Sequence, residues 1–543
     1  MTVPNASPSE SPADAAGPSR FDRAAAGLNQ WLGTHQRRYL TAACLLCVLA
    51  FAGYSHARFI VADEFLELTI ARLGSLPQIW NALMTGVQVD PPMTDSAMHF
   101  LFRAFGYSLF LGRLPSILCF CLMCLCLALI VWRYAPPVYA AATFFAPFAT
   151  TLRGLASLAR PYAPMLGFSA LALLCWDNMQ HADGRRLVRW RIAFSISLAV
   201  ALSTHFYGIL ILLPLALGEL AKWMLRKRLD WAAILCTAAA LIPWCLASPI
   251  LVSGSRTFMR HYAYKPELQT LYDFFGSLVI SLPWAGFVLL LLFAAAFPPG
   301  AARAETPASA PATPARRAML AATGGFLLIP FCGYLGGVLL IGTFGPHYYV
   351  IAAFGLILGL PLLLQACGAS REAVGLCLFL TMAGHGLMVG ARGLSGFLRV
   401  ERPYPALAEI RRLIPGPGAH PDLVVSAPLH FLPFYEATRS DPENNLIYLF
   451  DPRKELAEYG NDTSDLVSSL MVGRTPARIV PFDPYVATHR HFFILSMGEV
   501  LGVQEWQFKY LLKNLSAHLL WLGKAGSFDL YQVDLPALAP SGR

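Results

Sequence analysis

The chain has 543 residues, of which 56% are hydrophobic and 13% are charged. Ordinary soluble domains carry roughly 25% charged residues, so these proportions exclude a soluble globule and predict a polytopic membrane protein. The net charge of +9 does not indicate nucleic acid as a partner, because the basic residues lie mostly between apolar runs, where Lys and Arg mark cytoplasmic loops.

The chain opens on a Ser-, Pro- and Ala-rich stretch, residues 1–36, whose composition predicts a disordered cytoplasmic tail. Apolar runs follow, each about as long as one bilayer crossing, which needs roughly 20 residues. They predict about eleven transmembrane helices, at about 39–56, 112–132, 137–151, 161–176, 191–204, 206–224, 231–249, 272–297, 318–342, 347–366 and 373–391. We assign residues 37–395 to this all-α domain.

The basic clusters predict the orientation of the spans. With a cytoplasmic N-terminus, the densest clusters, at 185–191, 226–228 and 316–317, all fall inside, as the positive-inside rule expects. The Ala- and Pro-rich segment 298–317 is then a cytoplasmic linker. The long loop 57–111 and everything after about 391 fall on the outer, periplasmic face.

Residues 396–543 change in character, because hydrophobic runs shorten and charges become more frequent. Short strands are predicted at about 422–427, 446–450, 491–497, 518–522 and 527–533. Amphipathic helices are predicted at about 403–413, 452–471 and 503–515. This alternation is typical of a small α/β domain, here placed outside the membrane.

The outer loop begins with two adjacent acids, Asp63 and Glu64, directly after the first span. A carboxylate at the boundary of a low-dielectric region is suited to accept a proton from a hydroxyl group. Acids here also suit two other roles: ligands of a divalent cation, or first-turn residues that favour the positive end of a helix dipole. The pattern alone leaves these alternatives open.

Further polar residues reach the same predicted face from several spans. They are Asp90, His99, Arg103 and Arg113 in or after the loop, Arg160 and Tyr162, His205 and Tyr207, and His347 and Tyr348. Ionisable residues at membrane depth are costly and indicate functional sites. Each also has a structural alternative, such as headgroup contact for an Arg, an interfacial belt for a Tyr, or helix packing for His205.

These residues, in this order, resemble a known family, the membrane glycosyltransferases that use polyprenyl-phosphate sugars (the GT-C fold). The branch in question is similar to protein O-mannosyltransferases and to the lipopolysaccharide-core Rgt transferases. The resemblance covers residues 40–220 and rests on Asp63-Glu64, Pro91-Pro92, His99, Arg103, Gly106, Arg113-Leu114-Pro115-Ser116, Ala159-Arg160-Pro161-Tyr162 and His205-Phe206-Tyr207-Gly208.

Three departures from the family pattern lie close to the expected active face. Asp90 stands where the family usually has His, Met93-Thr94-Asp95 replaces Leu-Tyr-Tyr, and Leu158 replaces a Glu. Donor or acceptor choice is therefore expected to differ from that of better-matched members.

The resemblance implies a sugar donor on undecaprenyl or dolichyl phosphate and an acceptor hydroxyl on a lipid, glycan or protein, with inversion at the anomeric carbon. Asp63 is the expected base, with Glu64 second. Arg160, His205, Tyr207 and His347 are expected at the leaving phosphate. Asp90, His99, Arg113, Tyr162 and Tyr348 are expected either to contact the acceptor or to shape the site, and Asp90 and His99 could also hold Asp63. Metal dependence varies across the fold, and Asp63, Glu64 and Asp90 would be the ligands of a Mg or Mn ion.

Two other classes of protein fit the same sequence less well. A transporter or flippase for a lipid-linked sugar would carry charges near the bilayer midplane and internal repeats, whereas here the charges gather at one face and no repeat is visible. A non-catalytic subunit of a glycan-assembly system is the other alternative, favoured by the three departures.

Overall fold

The computed structural model describes residues 20–258, 265–296, 313–341, 344–366, 372–399, 403–416, 421–498 and 505–536. Its membrane-side helices are α1 (Arg20–Thr34), α2 (Gln36–Ala57), α3 (Ala62–Ala71), α4 (Leu76–Met84), α5 (Met93–Phe105), α6 (Leu109–Tyr134), α7 (Pro137–Phe145), α8 (Tyr162–Met179), α9 (Gly184–Thr204), α10 (Leu212–Arg226), α11 (Trp231–Phe258), α12 (Leu268–Leu278), α13 (Ser281–Ala296), α14 (Pro314–Gly336), α15 (Ala353–Ala366) and α16 (Glu372–Ser395). Short 3-10 helices adjoin them at Ala146–Ala149, Thr151–Leu155, Phe206–Ile211, Pro346–Ala352 and Gly396–Leu398.

The last part of the chain combines strands with short helices. The helices are α17 (Leu407–Arg411), α18 (Pro428–Ala437), α19 (Pro452–Tyr459), α20 (Thr463–Met471), α21 (Phe482–Thr488) and α22 (Trp506–Asn514). The strands are β1 (Leu423–Val425), β2 (Leu446–Phe450), β3 (Arg478–Pro481), β4 (His491–Ser496), β5 (His518–Ala525) and β6 (Phe528–Asp534).

The predicted polytopic, all-α membrane region is confirmed. In the described part of the chain, seven helices are long and apolar enough to cross a membrane: Gln36–Ala57, Leu109–Tyr134, Gly184–Thr204, Phe206–Arg226, Trp231–Thr257, Pro314–Leu339 and Ala373–Leu398. Shorter apolar helices, at Pro137–Ala149, Pro283–Leu292 and Tyr348–Leu364, and α8 coincide with the other predicted spans. On α11, Leu235, Ile242 and Leu246 are each more than half exposed along one helix face, as expected for a lipid-facing surface.

One predicted span, 272–297, is not a single helix. It forms α12 and α13, which are separated by extended backbone at Val279 and Ile280. Val279 forms an isolated antiparallel bridge with Thr150, and the Ile280 N–H donates to the Ala149 carbonyl at 2.9 Å. Because these backbone groups pair with another segment, the helix has to break here, and hydropathy does not detect that.

The predicted disordered tail is wrong for its second half, since residues 20–34 form α1. Ala25 and Leu32 are fully buried there, and Leu28 packs beside them against the main core, so three small or apolar residues on one face hold the helix on the bundle. Residues 1–19 lie outside the described part. The linker predicted at 298–317 is described only from Thr313, which caps α14 by accepting from the Arg316 N–H.

Helices α2 and α16 approach each other through glycines. A Cβ added to Gly53 would stand 2.0 Å from the Gly393 carbonyl oxygen, and one added to Gly393 would stand 2.3 Å from the Ala50 carbonyl oxygen. Small residues permit such close backbone contact where helices pack without a hydrophobic driving force between them. The last span is therefore fixed against the first.

The predicted α/β region forms one six-stranded sheet in the order β3-β2-β1-β4-β6-β5. Strands β3, β2, β1 and β4 are parallel, and β6 and β5 complete the sheet in antiparallel pairing. All five predicted strands are present, and β3 is an addition. The predicted helix 452–471 is two helices, because Gly460, in the left-handed region at φ 70°, ends α19.

Helix α18, which packs on strands β1 and β2, contacts the helices that follow the first span. Phe65 and Leu68 of α3 belong to the same buried cluster as Phe431 and Phe434 of α18. Close to this contact, Glu436 at the end of α18 accepts a hydrogen bond from the Tyr107 hydroxyl at 2.9 Å. Helix α18 thus connects α3 to the sheet.

Candidate active site

Helix α3 carries three acids, and its periodicity sends them to two different environments. Asp63 and Glu67 are four residues apart and share a face, whereas Glu64 points about 100° away. Arg160 meets the shared face: its Nη2 lies 3.8 Å from Asp63 Oδ2, and its Nη1 lies 3.3 Å from Glu67 Oε1. The Asp63 side chain is 64% exposed and the Glu67 side chain is fully buried. Arg160 therefore joins an accessible carboxylate to a buried one.

Glu64 is engaged in a buried ion pair and has no access to a substrate. Its two oxygens accept from Arg113 Nε and Nη2, both at 2.8 Å, and neither side chain is exposed. Glu64 also accepts from the Ala159 N–H at 2.7 Å. Because each satisfies the other, the geometry does not support Glu64 as a second base or Arg113 as a contact of the acceptor. It leaves Arg113 the alternative of shaping the site.

The ion pair has a positioning consequence. Arg113 donates to the carbonyls of Ser55, Arg58 and Phe59 at 2.8 to 2.9 Å, which fastens the end of α2 to the start of α6. The bond from Ala159 to Glu64 then sets the backbone directly before Arg160. The Arg-Leu-Pro-Ser and Ala-Arg-Pro-Tyr motifs thus place the Arg160 guanidinium beside Asp63.

Arg160 contacts, through Glu67, a buried group of polar side chains, which we call the acid cluster. Its members are buried residues of α3, of the loop before α5 and of the first turn of α5: Glu67, Gln88, Asp90, Thr94 and Asp95. Eight of their side-chain oxygen and nitrogen atoms have no hydrogen-bond partner among the described residues. Buried polar atoms are rarely left unpaired except around ordered water or at functional sites.

The carboxyls of the acid cluster hold protons more tightly than exposed acids do. Burial raises the pKa of Glu67 to about 7, against the opposing charge of Arg160. Burial likewise raises the pKa of Asp90 to about 7, and it raises the pKa of Asp95, with the neighbouring Glu67 adding to the rise. A single guanidinium does not neutralise three buried carboxylates, so part of the acid cluster is protonated near neutral pH.

His205, Tyr162, Tyr207 and Tyr348 line the site on the other side of Asp90 and Arg160. His205 Nδ1 accepts from the Tyr207 N–H at 3.0 Å, so the proton of a neutral ring is on Nε2, which lies 3.4 Å from Asp90 Oδ1. The Tyr162 ring lies 4.9 Å from His205 and 5.5 Å from the Arg160 guanidinium. Tyr207 and Tyr348 stack at 4.4 Å between ring centroids.

The structure brings most of the predicted residues together and separates three of them, Glu64, His99 and Arg113. Asp63, Asp90, Arg160, Tyr162, His205, Tyr207 and Tyr348 form one continuous set of contacts. His99 is elsewhere, since its Nδ1 donates to the Ala71 carbonyl at 3.0 Å, and Arg113 is in the ion pair with Glu64. The backbone of His347 lies in a 3-10 helix, but its side chain lies outside the described part.

Sequence reasoning missed Glu67 and Gln88 as members of the site, and it noted Thr94 and Asp95 only as departures from the family pattern. For Glu67 a signal existed, because it follows Asp63 by four residues and must share its face on a helix. As for a cation, the described residues contain no group of three or more His, Cys, Asp or Glu side chains that could hold a metal ion. Of the three predicted ligands, Glu64 is occupied by Arg113.

The acid cluster predicts a stability that falls as pH rises. Unfolded carboxyls lose their protons near pH 4, whereas Glu67 in the folded protein keeps its proton to about 7. Between these values the folded state binds more protons than the unfolded state, so the free energy of unfolding decreases with pH. Thermal unfolding midpoints are expected to drop from pH 5 to pH 8 and to drop less in Glu67→Gln. The exposed control Glu409→Gln should behave as the wild type, and matching profiles for Glu67→Gln and wild type would contradict the assignment.

Comparisons with known proteins identify the fold. Neither the protein-family models nor the curated proteins yield a match to the chain. The crystal structure of ArnT from Cupriavidus metallidurans bound to undecaprenyl phosphate is similar over 92% of this chain and 98% of that one, with a TM-score of 0.54 and 16% identity. Its apo state matches over the same shares at 16% identity, with a TM-score of 0.55.

The S. cerevisiae Pmt1-Pmt2 protein O-mannosyltransferase complex bound to the sugar donor is similar over 40% of this chain and 32% of that one, at 14% identity. Its TM-score of 0.31 is too low to carry an argument. The likeness to ArnT extends over nearly the whole chain, and at 16% identity it concerns the fold. This protein is a multi-pass membrane protein with the GT-C fold.

Proposed function

We propose that this protein is a membrane glycosyltransferase that moves a sugar from a polyprenyl-phosphate donor to an acceptor hydroxyl, with inversion. The observation that carries the proposal is the contact between Arg160 and the exposed carboxylate of Asp63. Such a pair offers a proton acceptor and a phosphate-binding cation side by side. The GT-C fold, and the undecaprenyl phosphate bound by a solved structure of that fold, support a lipid-linked donor.

The proposed reaction assigns one role to each group. Asp63 takes the proton of the acceptor hydroxyl, whose oxygen forms the new bond to the anomeric carbon. The bond from that carbon to the phosphate oxygen breaks on the opposite side, and the lipid phosphate leaves with the electron pair. Arg160 stabilises the leaving phosphate by charge-assisted hydrogen bonds. His205, with its proton on Nε2, and the stacked Tyr207 and Tyr348 line the site beside the leaving phosphate.

The proposed setting is the outer face of a bacterial cytoplasmic membrane. The distribution of the basic loops supports a cytoplasmic N-terminus, with α3 and the sheet on the periplasmic side. We propose residues 37–395 as the transmembrane catalytic domain and residues 396–543 as the extracytoplasmic domain. The acceptor is a lipid, a glycan or a protein of the cell envelope.

Sugar transfer by the purified protein tests the proposal. The protein in lipid nanodiscs is given radiolabelled polyprenyl-phosphate sugars with native lipid extract as acceptor. Arg160→Gln removes a charged partner worth about 1.5–3 kcal/mol, so transfer is expected to fall roughly 10- to 100-fold, through weaker donor binding and weaker stabilisation of the leaving phosphate.

Arg399→Gln is the matched control, because Arg399 is exposed at the end of the last span, and it should transfer as the wild type does. A folded wild type that transfers no sugar from any donor would contradict the proposal and favour a transporter or an assembly subunit.

A further inference from the structure

Helices α4 and α5 follow the first span and lead into the next. Helix α5 ends at Phe105, and the span α6 begins at Leu109, so the end of α5 is expected close to the bilayer surface. Met93 and Phe100, seven residues apart on one face of α5, are 41% and 58% exposed, although they are large and apolar. An exposed apolar helix face of this kind is suited to lie in the interface towards lipid.

An open cavity of about 550 Å³ lies where the start of α4 meets the end of α5. It is lined by Ser75, Leu76, Pro77, His99, Phe100 and Arg103, with Ala104 at the edge. No carboxylate is among these lining residues. The cavity combines apolar walls with groups that attract an anion, and it is formed by residues other than those of the acid cluster.

Three groups in the cavity are suited to an anion. The first is the N-terminus of α4, where Ser75 makes no capping hydrogen bond through its side chain. The N–H groups of Leu76 and Gln78 therefore stay available, whereas Pro77 has none. The second is Arg103, which is exposed and contacts the Gly74 carbonyl through Nη1 at 3.4 Å. Its remaining donors are available to a ligand.

The third group is His99, which is 95% buried. Its Nδ1 donates to the Ala71 carbonyl at 3.0 Å, and Nε2 has no hydrogen-bond partner among the described residues. Because His99 lines the cavity, Nε2 is the nitrogen that a ligand would meet. It accepts from a headgroup hydroxyl when the ring is neutral and donates to a phosphate oxygen when the ring is protonated.

We propose that this cavity binds the phosphate headgroup of an anionic membrane lipid. The headgroup phosphate contacts Arg103, His99 and the N-terminus of α4, and the acyl chains run along Phe100 and Leu76 into the bilayer. The proposal rests on the position of the cavity at the membrane surface and on its charge. It does not depend on sugar transfer, and a failure of the proposed function leaves it standing.

Lipid binding to the whole protein tests this site. The protein in neutral detergent is titrated with short-chain phosphatidylglycerol, with phosphatidylcholine and with inorganic phosphate. Bound lipid is counted by native mass spectrometry, and the thermal unfolding midpoint is followed in parallel. The wild type is expected to bind one phosphatidylglycerol at least about tenfold more tightly than phosphatidylcholine, because only the former carries net negative charge. Inorganic phosphate is expected to bind more weakly than either lipid, since it has no acyl chains.

Arg103→Gln is expected to weaken phosphatidylglycerol binding roughly tenfold or more, as expected for the loss of a charged hydrogen-bond donor. Arg103→Lys should recover part of the affinity, and Arg399→Gln should leave it unchanged. Equal affinities of Arg103→Gln and wild type would overturn the proposal. So would an equal loss in Arg399→Gln, which would indicate nonspecific lipid around the spans, or inorganic phosphate binding as tightly as phosphatidylglycerol.

Discussion

Replacing Asp63 by Asn is expected to lower the rate of sugar transfer about 100- to 10,000-fold, the usual contribution of a positioned general base. Asn keeps the size of the side chain but does not accept a proton. The Asp63 side chain is 64% exposed, so the substitution should leave the unfolding midpoint close to that of the wild type. The effect should appear in kcat, because the proton moves in the chemical step and not in substrate binding.

Glu67→Gln is the informative companion variant. Glu67 contacts the same guanidinium from the buried side, and it has no exposed surface through which a substrate could reach it. Its loss is expected to change donor KM and the pH profile more than kcat, because it acts through Arg160. If Asp63→Asn transfers at the wild-type rate while Glu67→Gln does not, the base is Glu67, and the site must open during the reaction.

Replacing Arg113 by Met is expected to reduce the free energy of unfolding by about 3–5 kcal/mol, since it leaves the Glu64 carboxylate buried without a charged partner. Three backbone carbonyls at the end of α2 lose their donor at the same time. Thermal unfolding of the purified protein measures this loss.

The double variant Arg113→Met with Glu64→Leu separates pairing from packing. Removing both charges is expected to recover part of the stability that the single variant loses. Arg399→Gln again serves as an exposed control and should unfold as the wild type does. A single Arg113→Met variant with wild-type stability would show that the ion pair does not hold this region together.

The transmembrane helices were predictable because one physical requirement, a long apolar run, is written locally in the sequence. The break between α12 and α13 was not predictable, because it depends on pairing with a distant segment, including the hydrogen bond from the Ile280 N–H to the Ala149 carbonyl. Strand β3 was missed for a similar reason. Its four residues, Arg478–Pro481, are a strand because they pair with β2.

The site shows the same division between local and distant causes. The sequence singled out Asp63, Arg160 and His205, and the structure brings them to one place. It grouped Glu64 with Asp63, although the two point to different faces of α3 and only the ion pair with Arg113 reveals the role of Glu64. Thr94 and Asp95 attracted notice as departures from the family pattern, and they lie in the acid cluster.

The contact between α3 and α18 has a consequence for biosynthesis. Helix α3 leaves the ribosome early, but Phe431 and Phe434, which cover its buried face, are made more than 350 residues later. Until then the part of its apolar side that α18 covers has no partner, although α4 and α5 already pack against α3. The spans are expected to insert in order before α18 is made, so the packing of α3 is completed only late in translation. A nascent chain interrupted before α18 would thus be embedded in the membrane with α3 incompletely packed.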